Sequence, residues 1–178
     1  QVLGAVEQPG FYDLKKYRNL KELIDSLKFV DVYPWLAVLE QFDENKLIKS
    51  SILFSLNDPD TYDSVELLTN SKVFFTNRDD KSFNVSEMTQ NLISDYELVI
   101  NFKDETFRMP IYGNYSVSSL IDFLGLDMSD VDNFATYISP LDDIIINDDY
   151  QNMQFSAKKY NPVSFRSPKN NLIKVSIS

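Results

Sequence analysis

The chain has 178 residues, 43% of them hydrophobic and 25% charged, which suits one large or two small packed domains and argues against disorder. Its formal charge of −10 argues against nucleic acid or an anionic membrane surface as a partner, because both carry phosphate groups. The sequence contains neither Cys nor His, which excludes disulfides, zinc sites of the usual kind and Ser-His-Asp triads. No apolar run has the length of a membrane span, so membrane insertion is not expected.

The first predicted elements are a β-hairpin and a helix. Residues 2–6 are apolar, Pro9-Gly10 suits the centre of a type II turn, and 11–14 are predicted to return as a strand. Asn19 is predicted to cap the helix, with Glu22 reaching back to the backbone N–H of the cap. One apolar helix face follows at i, i+3, i+4 and i+7, formed by Leu20, Leu23, Ile24 and Leu27.

Extended segments follow this helix. Strands are predicted at 35–39, 52–56 and 72–76. Beyond them the chain becomes polar and charged, and 79–94 is predicted as a linker that includes a short helix at 86–92.

The same order of elements recurs in the second half. Residues 96–102 and 106–109 are predicted as strands joined by a turn. Ser116 then takes an N-cap position, and Gly125 can end the helix in a left-handed conformation. The apolar face between them consists of Val117, Leu120, Ile121 and Leu124.

A constant offset of 97 residues relates the hairpin and helix of the first half to those of the second without a gap. It carries Asn19 onto Ser116 and Leu23 onto Leu120. Two unrelated amphipathic helices would also share their apolar spacing. The matching caps and the equal distance from hairpin to helix favour an internal repeat.

The rest of the chain continues the second unit. Strands are predicted at 134–138, 143–146, 152–155 and 163–166, and the tail at 172–177 is strongly strand-like. We therefore divide the chain into a first unit at 1–78, a linker at 79–94 and a second, divergent unit at 95–178. Residues 171–178 are predicted to begin a truncated third unit. We interpret the sequence as an excised fragment, since it opens on Gln1 without Met and directly at a strand.

Residues 2–12, with the helix from Asn19, resemble the soluble-ligand-binding β-grasp (SLBB) domain. That family opens with a hydrophobic strand containing a Gly, then a Pro-Gly pair and an aromatic residue, which Gly4, Pro9-Gly10 and Phe11 match. The Gly-Gly pair that usually closes the family's helix is absent, and the second unit lacks both the Gly and the Pro-Gly pair. The resemblance implies an α+β fold of two tandem β-grasp (ubiquitin-like) units. Each unit would have a hairpin, one main helix and further strands of a mixed sheet.

The resemblance also implies a role, because SLBB domains are best known in bacterial polysaccharide export proteins of the outer membrane. The expected function is a non-catalytic periplasmic module that packs against other copies in a ring-like assembly, with polysaccharide as a further contact. A small-ligand or saccharide-binding module unrelated to export is the alternative. The fold alone implies function only weakly.

Acidic clusters give little support to metal or enzyme chemistry. An EF-hand register from Asp58 would need Gly and Glu at positions that hold Asp63 and Thr69. With 27 acidic residues, a glycosidase-like pair of carboxylates can be chosen almost anywhere, so it carries no signal. No catalytic residue, metal or cofactor is expected.

Aromatic side chains are the candidates for ligand contact. Flat rings can stack on pyranose faces, and the candidates are Tyr12, Tyr33, Trp35 and Tyr115. Packing in a small core is the favoured interpretation of these rings. The remaining motif residues are assigned structural roles in strand approach, turns, caps and core: Gly4, Pro9, Gly10, Asn19, Leu23, Ser116, Leu120 and Gly125.

Overall fold

The computed structural model describes residues 1–80, 82–102 and 105–127, together with strands at 136–138, 143–145, 154–156 and 161–165. The chain divides into two compact units. The first contains Gln1–Tyr96 and Pro110–Asn114, and the second contains Glu97–Met109 and Tyr115–Ser178. The stretch predicted as a linker at 79–94 thus lies in the first compact unit. The predicted third unit at 171–178 lies outside the described residues.

The first unit is a mixed four-stranded sheet with two helices. Its strands pair in the order β1-β4-β2-β3, with β1 parallel to β4 and the other neighbours antiparallel. A 3₁₀ turn at Pro59–Thr61 precedes β4. The elements are β1 (Val2–Gly4), α1 (Leu20–Ser26), β2 (Ala37–Asp43), β3 (Ile48–Phe54), β4 (Lys72–Phe75) and α2 (Glu87–Ser94).

The hairpin predicted at the start of this unit is reduced to one bridge. Val2 and Gly10 exchange backbone hydrogen bonds of 2.7 and 2.9 Å, but 11–14 do not form the predicted strand. Asp13 explains the difference, because its Oδ1 accepts from the backbone N–H of Lys15 at 2.9 Å. Its carbonyl also accepts from Lys16 and Tyr17. A local turn of this kind competes with strand pairing.

Helix α1 begins at its predicted cap. The Oδ1 of Asn19 accepts from the backbone N–H of Glu22 at 2.8 Å. The Glu22 carboxylate accepts from the backbone N–H of Arg18 instead of that of the cap, also at 2.8 Å. The apolar face then packs onto the sheet, with Leu23 only 3% exposed. The core on this face includes Val2, Leu20, Leu23, Ile24, Ala37, Leu39, Phe54, Val73 and Phe75.

Both faces of the sheet are buried at one end. Side chains alternate between the faces of a strand, so the residues between the core positions point to the other side. Val38, Leu53 and Phe74 lie there and are also buried. Burial on both faces explains why the chain is almost continuously apolar from Trp35 to Leu39.

Gly4 lies where β1 meets β4 and requires the absence of a side chain. Its φ is +93°, and a Cβ there would lie 1.6 Å from the carbonyl oxygen of Phe75. The predicted role of Gly4 in close backbone approach thus has a direct geometric basis.

The second unit contains a five-stranded sheet in the order β6-β5-β11-β8-β9 and a pair formed by β7 and β10. Strand β11 is parallel to β5 and antiparallel to β8, which is antiparallel to β9. Two residues join β5 to β6. The elements are β5 (Glu97–Phe102), β6 (Glu105–Pro110), β7 (Asn114–Ser116), α3 (Val117–Leu124), β8 (Thr136–Ile138), β9 (Asp143–Ile145), β10 (Gln154–Ser156) and β11 (Asn161–Phe165).

Helix α3 has the two ends that its sequence predicts. Ser116 and Ser119 form a reciprocal capping box, in which the Ser116 Oγ accepts from the Ser119 N–H at 3.2 Å. Gly125 ends the helix with φ +63°. Leu120 is fully buried. Asn19 and Ser116, which the 97-residue offset relates, therefore cap corresponding helices.

The two sheets share a strand order. In the first unit, β1 is parallel to β4, and β4 is antiparallel to β2, the first strand after α1. In the second unit, β5 is parallel to β11, and β11 is antiparallel to β8, the first strand after α3. The two strands that follow the main helix pair with each other in both units. The first sheet has four strands and the second has five. The structure is therefore a mixed α+β fold.

Candidate functional site

Three of the four aromatic candidates lie in the interior. Tyr33 is fully buried, and Trp35 and Tyr115 are each 2% exposed. Burial raises the pKa of Tyr115 to about 12 and raises that of Tyr33 further. The rings of these three residues are packed against protein, so a saccharide has no access to their faces in this structure.

Tyr12 is partly exposed and belongs to an aromatic loop, which we define as residues 11–17. Phe11 is 89% exposed, the largest exposed fraction among the large hydrophobic side chains of the described residues. The rings of Tyr12 and Tyr17 lie 5.9 Å apart with an interplanar angle of 59°. The Nζ of Lys16 lies 5.1 Å from the Tyr17 ring centroid, within the range of a cation–π contact.

Hydrogen bonds of the backbone and of the Tyr12 side chain hold the loop in place. The turn at Asp13 brings Tyr17 beside Tyr12, and the Tyr12 hydroxyl donates to the carbonyl of Gln8 at 2.7 Å. The pKa of Tyr17 is lowered, first by a side-chain hydrogen bond with Ser26 and then by Lys16. The aromatic loop therefore presents a fixed arrangement of rings with one ammonium group. Such a surface can pack against protein or against a sugar ring, and it holds no group placed for covalent chemistry.

Sequence reasoning missed Phe11 as a surface residue. The predicted return strand would have given Phe11 and Asp13 one face of a hairpin and Tyr12 the other. The signal that could have found the loop is Asp13 followed by Leu14-Lys15-Lys16, since Asp at the start of a short polar stretch favours a local turn.

A second polar surface lies where helix α2 meets the sheet. The carboxylate Oε1 of Glu40 accepts hydrogen bonds from the Ser86 N–H at 3.0 Å, the Ser86 hydroxyl at 2.6 Å and the Thr89 hydroxyl at 2.5 Å. Ser51 and Thr89 share a further hydroxyl–hydroxyl bond of 2.7 Å. Partial burial alone would raise the pKa of Glu40, but these hydrogen bonds, helped by Lys72, lower it overall. Glu40 is therefore an ionised anchor for the N-terminus of α2.

No protein-family model matches the chain, and no curated protein matches it significantly. The function is therefore inferred from the sequence and from the surfaces described above.

The acidic residues near the 3₁₀ turn have a structural role. The Oδ2 of Asp58 accepts from the backbone N–H of Asn114 at 2.7 Å, beside Gly113. Asp58 is thereby tied to the segment Pro110–Asn114, which belongs to the same compact unit. Within the described part of the chain, no three acidic side chains come together in a way that could hold a metal ion. No helix in that part is long and apolar enough to cross a membrane.

Proposed function

We propose that the chain is a non-catalytic periplasmic module of a bacterial polysaccharide export protein. In this proposal it consists of two tandem β-grasp units of the SLBB kind. It acts by packing against other copies of the protein in a ring-like assembly, with polysaccharide as a further contact.

The strand order supports the β-grasp part of the proposal. A β-grasp sheet sets its first and last strands side by side and parallel, and one helix crosses between two hairpins. The order β6-β5-β11-β8-β9 with α3 fits this plan. The order β1-β4-β2-β3 with α1 fits it too, if the bridge between Val2 and Gly10 replaces the missing second strand.

The aromatic loop is the observation that carries the assembly role. An exposed Phe surrounded by other partly exposed rings forms an apolar patch, and such patches mark contact surfaces more often than lone exposed residues do. Phe11 is 89% exposed and lines one small cavity together with Tyr12 and Tyr17. One patch of this size is a small contact, which becomes strong only when many copies act together in a closed ring.

Sedimentation velocity of the full-length gene product, extracted in detergent, tests the proposal. We expect a large closed oligomer that Phe11→Ser weakens. The matched control is Leu47→Ser, which removes another exposed apolar side chain of the first unit, 78% exposed in the structure. A monomeric full-length protein, or equal effects of both substitutions, would exclude the aromatic loop as an assembly surface.

The isolated 178-residue chain should behave differently from the full-length protein. We expect a monomer or a weak oligomer, because each copy carries a charge of −10. Added salt should strengthen its association by screening this repulsion. A tight, saturable small-molecule ligand on a monomeric full-length protein would favour the alternative, a binding module unrelated to export.

A further inference from the structure

The first sheet carries a cavity on the face opposite to the α1 core. Its volume is about 220 Å³. We call it the lysine cavity and define it by six of its lining residues, which are Gln41, Phe42, Lys49, Asn70, Lys72 and Met88. The cavity lies within the first compact unit and is built from β2, β3, β4 and the first turn of α2.

The pairing of the strands explains why charged residues meet there. Phe42 on β2 lies opposite Lys49 on β3, and Glu40 on β2 lies opposite Lys72 on β4. These four residues alternate with core positions such as Leu39, so all four point away from the α1 core. The two lysines are diagonal neighbours across β2, about 10 Å apart across the strands and about 7 Å along them.

The charges of the cavity favour an anion. Lys49 and Lys72 contribute two positive charges, and Glu40 contributes the one negative charge among the lining residues. The Glu40 carboxylate is already hydrogen-bonded to Ser86 and Thr89 of α2. The lining therefore carries a net positive charge of one in a chain with a charge of −10, and the Glu44 carboxylate beside it accepts from the Nδ2 of Asn70 at 2.7 Å. A small anion would therefore be held here, although a large polyanion would be repelled by the whole chain.

The uncharged lining favours an anion with both an apolar face and hydroxyl groups. The ring of Phe42 and the thioether side chain of Met88 supply apolar surface. On this face the side-chain amide of Asn70, whose Nδ2 also donates to Glu44, and the hydroxyl of Ser51 are groups that bind hydroxyls. A pyranose ring has this combination, and a carboxylate on the ring would complement the lysines.

A second space adjoins the cavity, so an occupant longer than one sugar can fit. Lys49, Ser50, Ser51 and Met88 line a second, open groove of about 700 Å³, which runs along α2 to Asn91 and Asp95. Because the two spaces share a wall, an occupant of the cavity can extend into the groove. A short chain of sugars has the shape for this path.

We propose that the lysine cavity binds a carboxylated sugar of the hexuronic acid class, with neighbouring residues of a short acidic saccharide lying along α2. The carboxylate pairs with Lys49, which lies opposite Phe42, while Lys72 lies opposite Glu40, and the ring lies on Phe42 and Met88. The choice of a saccharide rests on the polysaccharide contact in the proposed function, but the site is distinct from the aromatic loop.

Galacturonate and galactose form a matched pair of probes, because they differ in one carboxylate. Binding to the 178-residue chain is measured at low salt by ¹H–¹⁵N chemical-shift titration. We expect galacturonate to bind with a Kd in the millimolar range and to shift the resonances of β2, β3 and α2. Galactose should bind about ten-fold more weakly, since it lacks the charge-assisted hydrogen bond. Trigalacturonate should bind more tightly than the monosaccharide.

Variants identify the lysines involved. Lys49→Gln should weaken galacturonate binding about five-fold, a modest effect because the Lys49 side chain is solvent-exposed, and Lys72→Gln should weaken it less, because Lys72 faces Glu40. Lys46→Gln is the matched control, since Lys46 lies on the same β2–β3 hairpin and pairs with Asp43 at 3.3 Å. It should change the affinity by less than two-fold. Circular dichroism of each variant establishes that the fold is retained.

Two outcomes would overturn the inference. Equal binding of galactose and galacturonate would remove the role of the lysines. Equal losses in Lys46→Gln and Lys49→Gln would mean that the sugar responds only to the general charge of the surface. The oligomeric state of the full-length protein is measured separately, so a monomeric protein that binds galacturonate would contradict the proposed assembly role and support this site.

Discussion

The hydroxyl of Tyr33 donates a hydrogen bond of 2.6 Å to the backbone carbonyl of Pro110, 77 residues further along the chain. Tyr33 precedes the strands of the first sheet, and Pro110 ends β6. The bond therefore joins two parts of the first unit that are far apart in sequence. Tyr33 is fully buried, so this bond replaces a hydrogen bond to water that an exposed hydroxyl would form.

Further bonds hold the same segment. The backbone N–H of Tyr112 donates to the carbonyl of Trp35 at 3.0 Å, and that of Ile111 donates to the carbonyl of Tyr96 at 2.9 Å. Ile111 is itself 1% exposed. The first compact unit is thus completed by Pro110–Asn114, and a truncation after Tyr96 would remove part of its interior.

Removing the Tyr33 hydroxyl should destabilise the chain. Tyr33→Phe keeps the ring but leaves the part-buried carbonyl of Pro110 without this donor, so we expect a loss of about 1–2 kcal/mol in the free energy of unfolding. Urea denaturation at neutral pH measures it. Tyr12→Phe is the control, because its hydroxyl bonds the Gln8 carbonyl at the surface. Equal losses in both variants would show that the buried hydrogen bond contributes no more stability than the exposed one.

Gly4 should tolerate no side chain. Gly4→Ala would place its Cβ 1.6 Å from the Phe75 carbonyl oxygen, so β1 and β4 would have to separate. Gly10→Ala is the matched control, since Gly10 also has a positive φ but no atom within 4 Å of the added Cβ. We expect Gly4→Ala to lose at least about 2 kcal/mol more than Gly10→Ala, beyond the usual strain of a positive φ. Comparable stabilities in thermal denaturation would contradict this geometry.

The two leucines related by the 97-residue offset should behave alike. Leu23 is 3% exposed and belongs to the core of the first unit, and Leu120 is fully buried. Leu23→Ala and Leu120→Ala should each lose about 2–5 kcal/mol, the usual range for buried leucines. Chemical denaturation tests both, with the exposed Asp25→Ala as the surface control. Losses below about 1 kcal/mol at both leucines would mean that these helix faces are not core.

Local signals made the helices and their caps predictable. Asn19, Ser86 and Ser116 each accept a hydrogen bond at the start of a helix, as expected for short polar side chains in that position. Gly125 adopts the left-handed conformation that a C-terminal Gly favours. Such interactions join residues within about four positions, so one stretch of sequence contains all the information.

Contacts between residues distant in sequence determine the features that local sequence patterns do not predict. Nothing near Pro110 indicates that Tyr33 will bond it, because the two meet only through the tertiary fold. Strand boundaries differ from the predicted ones for the same reason. The apolar run at 35–39 predicts a strand, but β2 begins at Ala37, and Trp35 and Leu36 before it are buried in the core. The exposure of Phe11 depends on a competition between a turn at Asp13 and strand pairing, which hydrophobic pattern alone does not resolve.

The bond network of Glu40 should make the docking of α2 sensitive to acid. The folded-state pKa of Glu40 lies below its ordinary value of 4.5, so folding favours the ionised form. A carboxyl group with a lowered pKa contributes stability that is fully present above the unfolded-state pKa. This contribution is lost as the pH falls through the lowered pKa of the folded state.

Glu40→Gln should therefore destabilise the chain at neutral pH and not in acid. We expect a loss of about 1–2 kcal/mol at pH 7, where an amide replaces the charged acceptor of three hydrogen bonds. The difference from the original chain should shrink as the pH falls from about 4.5, where Glu40 of the unfolded chain protonates, through the lower pKa of Glu40 in the folded state. Urea denaturation across this pH range measures it. Glu7→Gln is the control, because Glu7 only forms an exposed pair with Lys28 at 3.8 Å, and it should change stability little. A loss for Glu40→Gln that stays constant with pH would show that the charge of Glu40 is not what anchors α2.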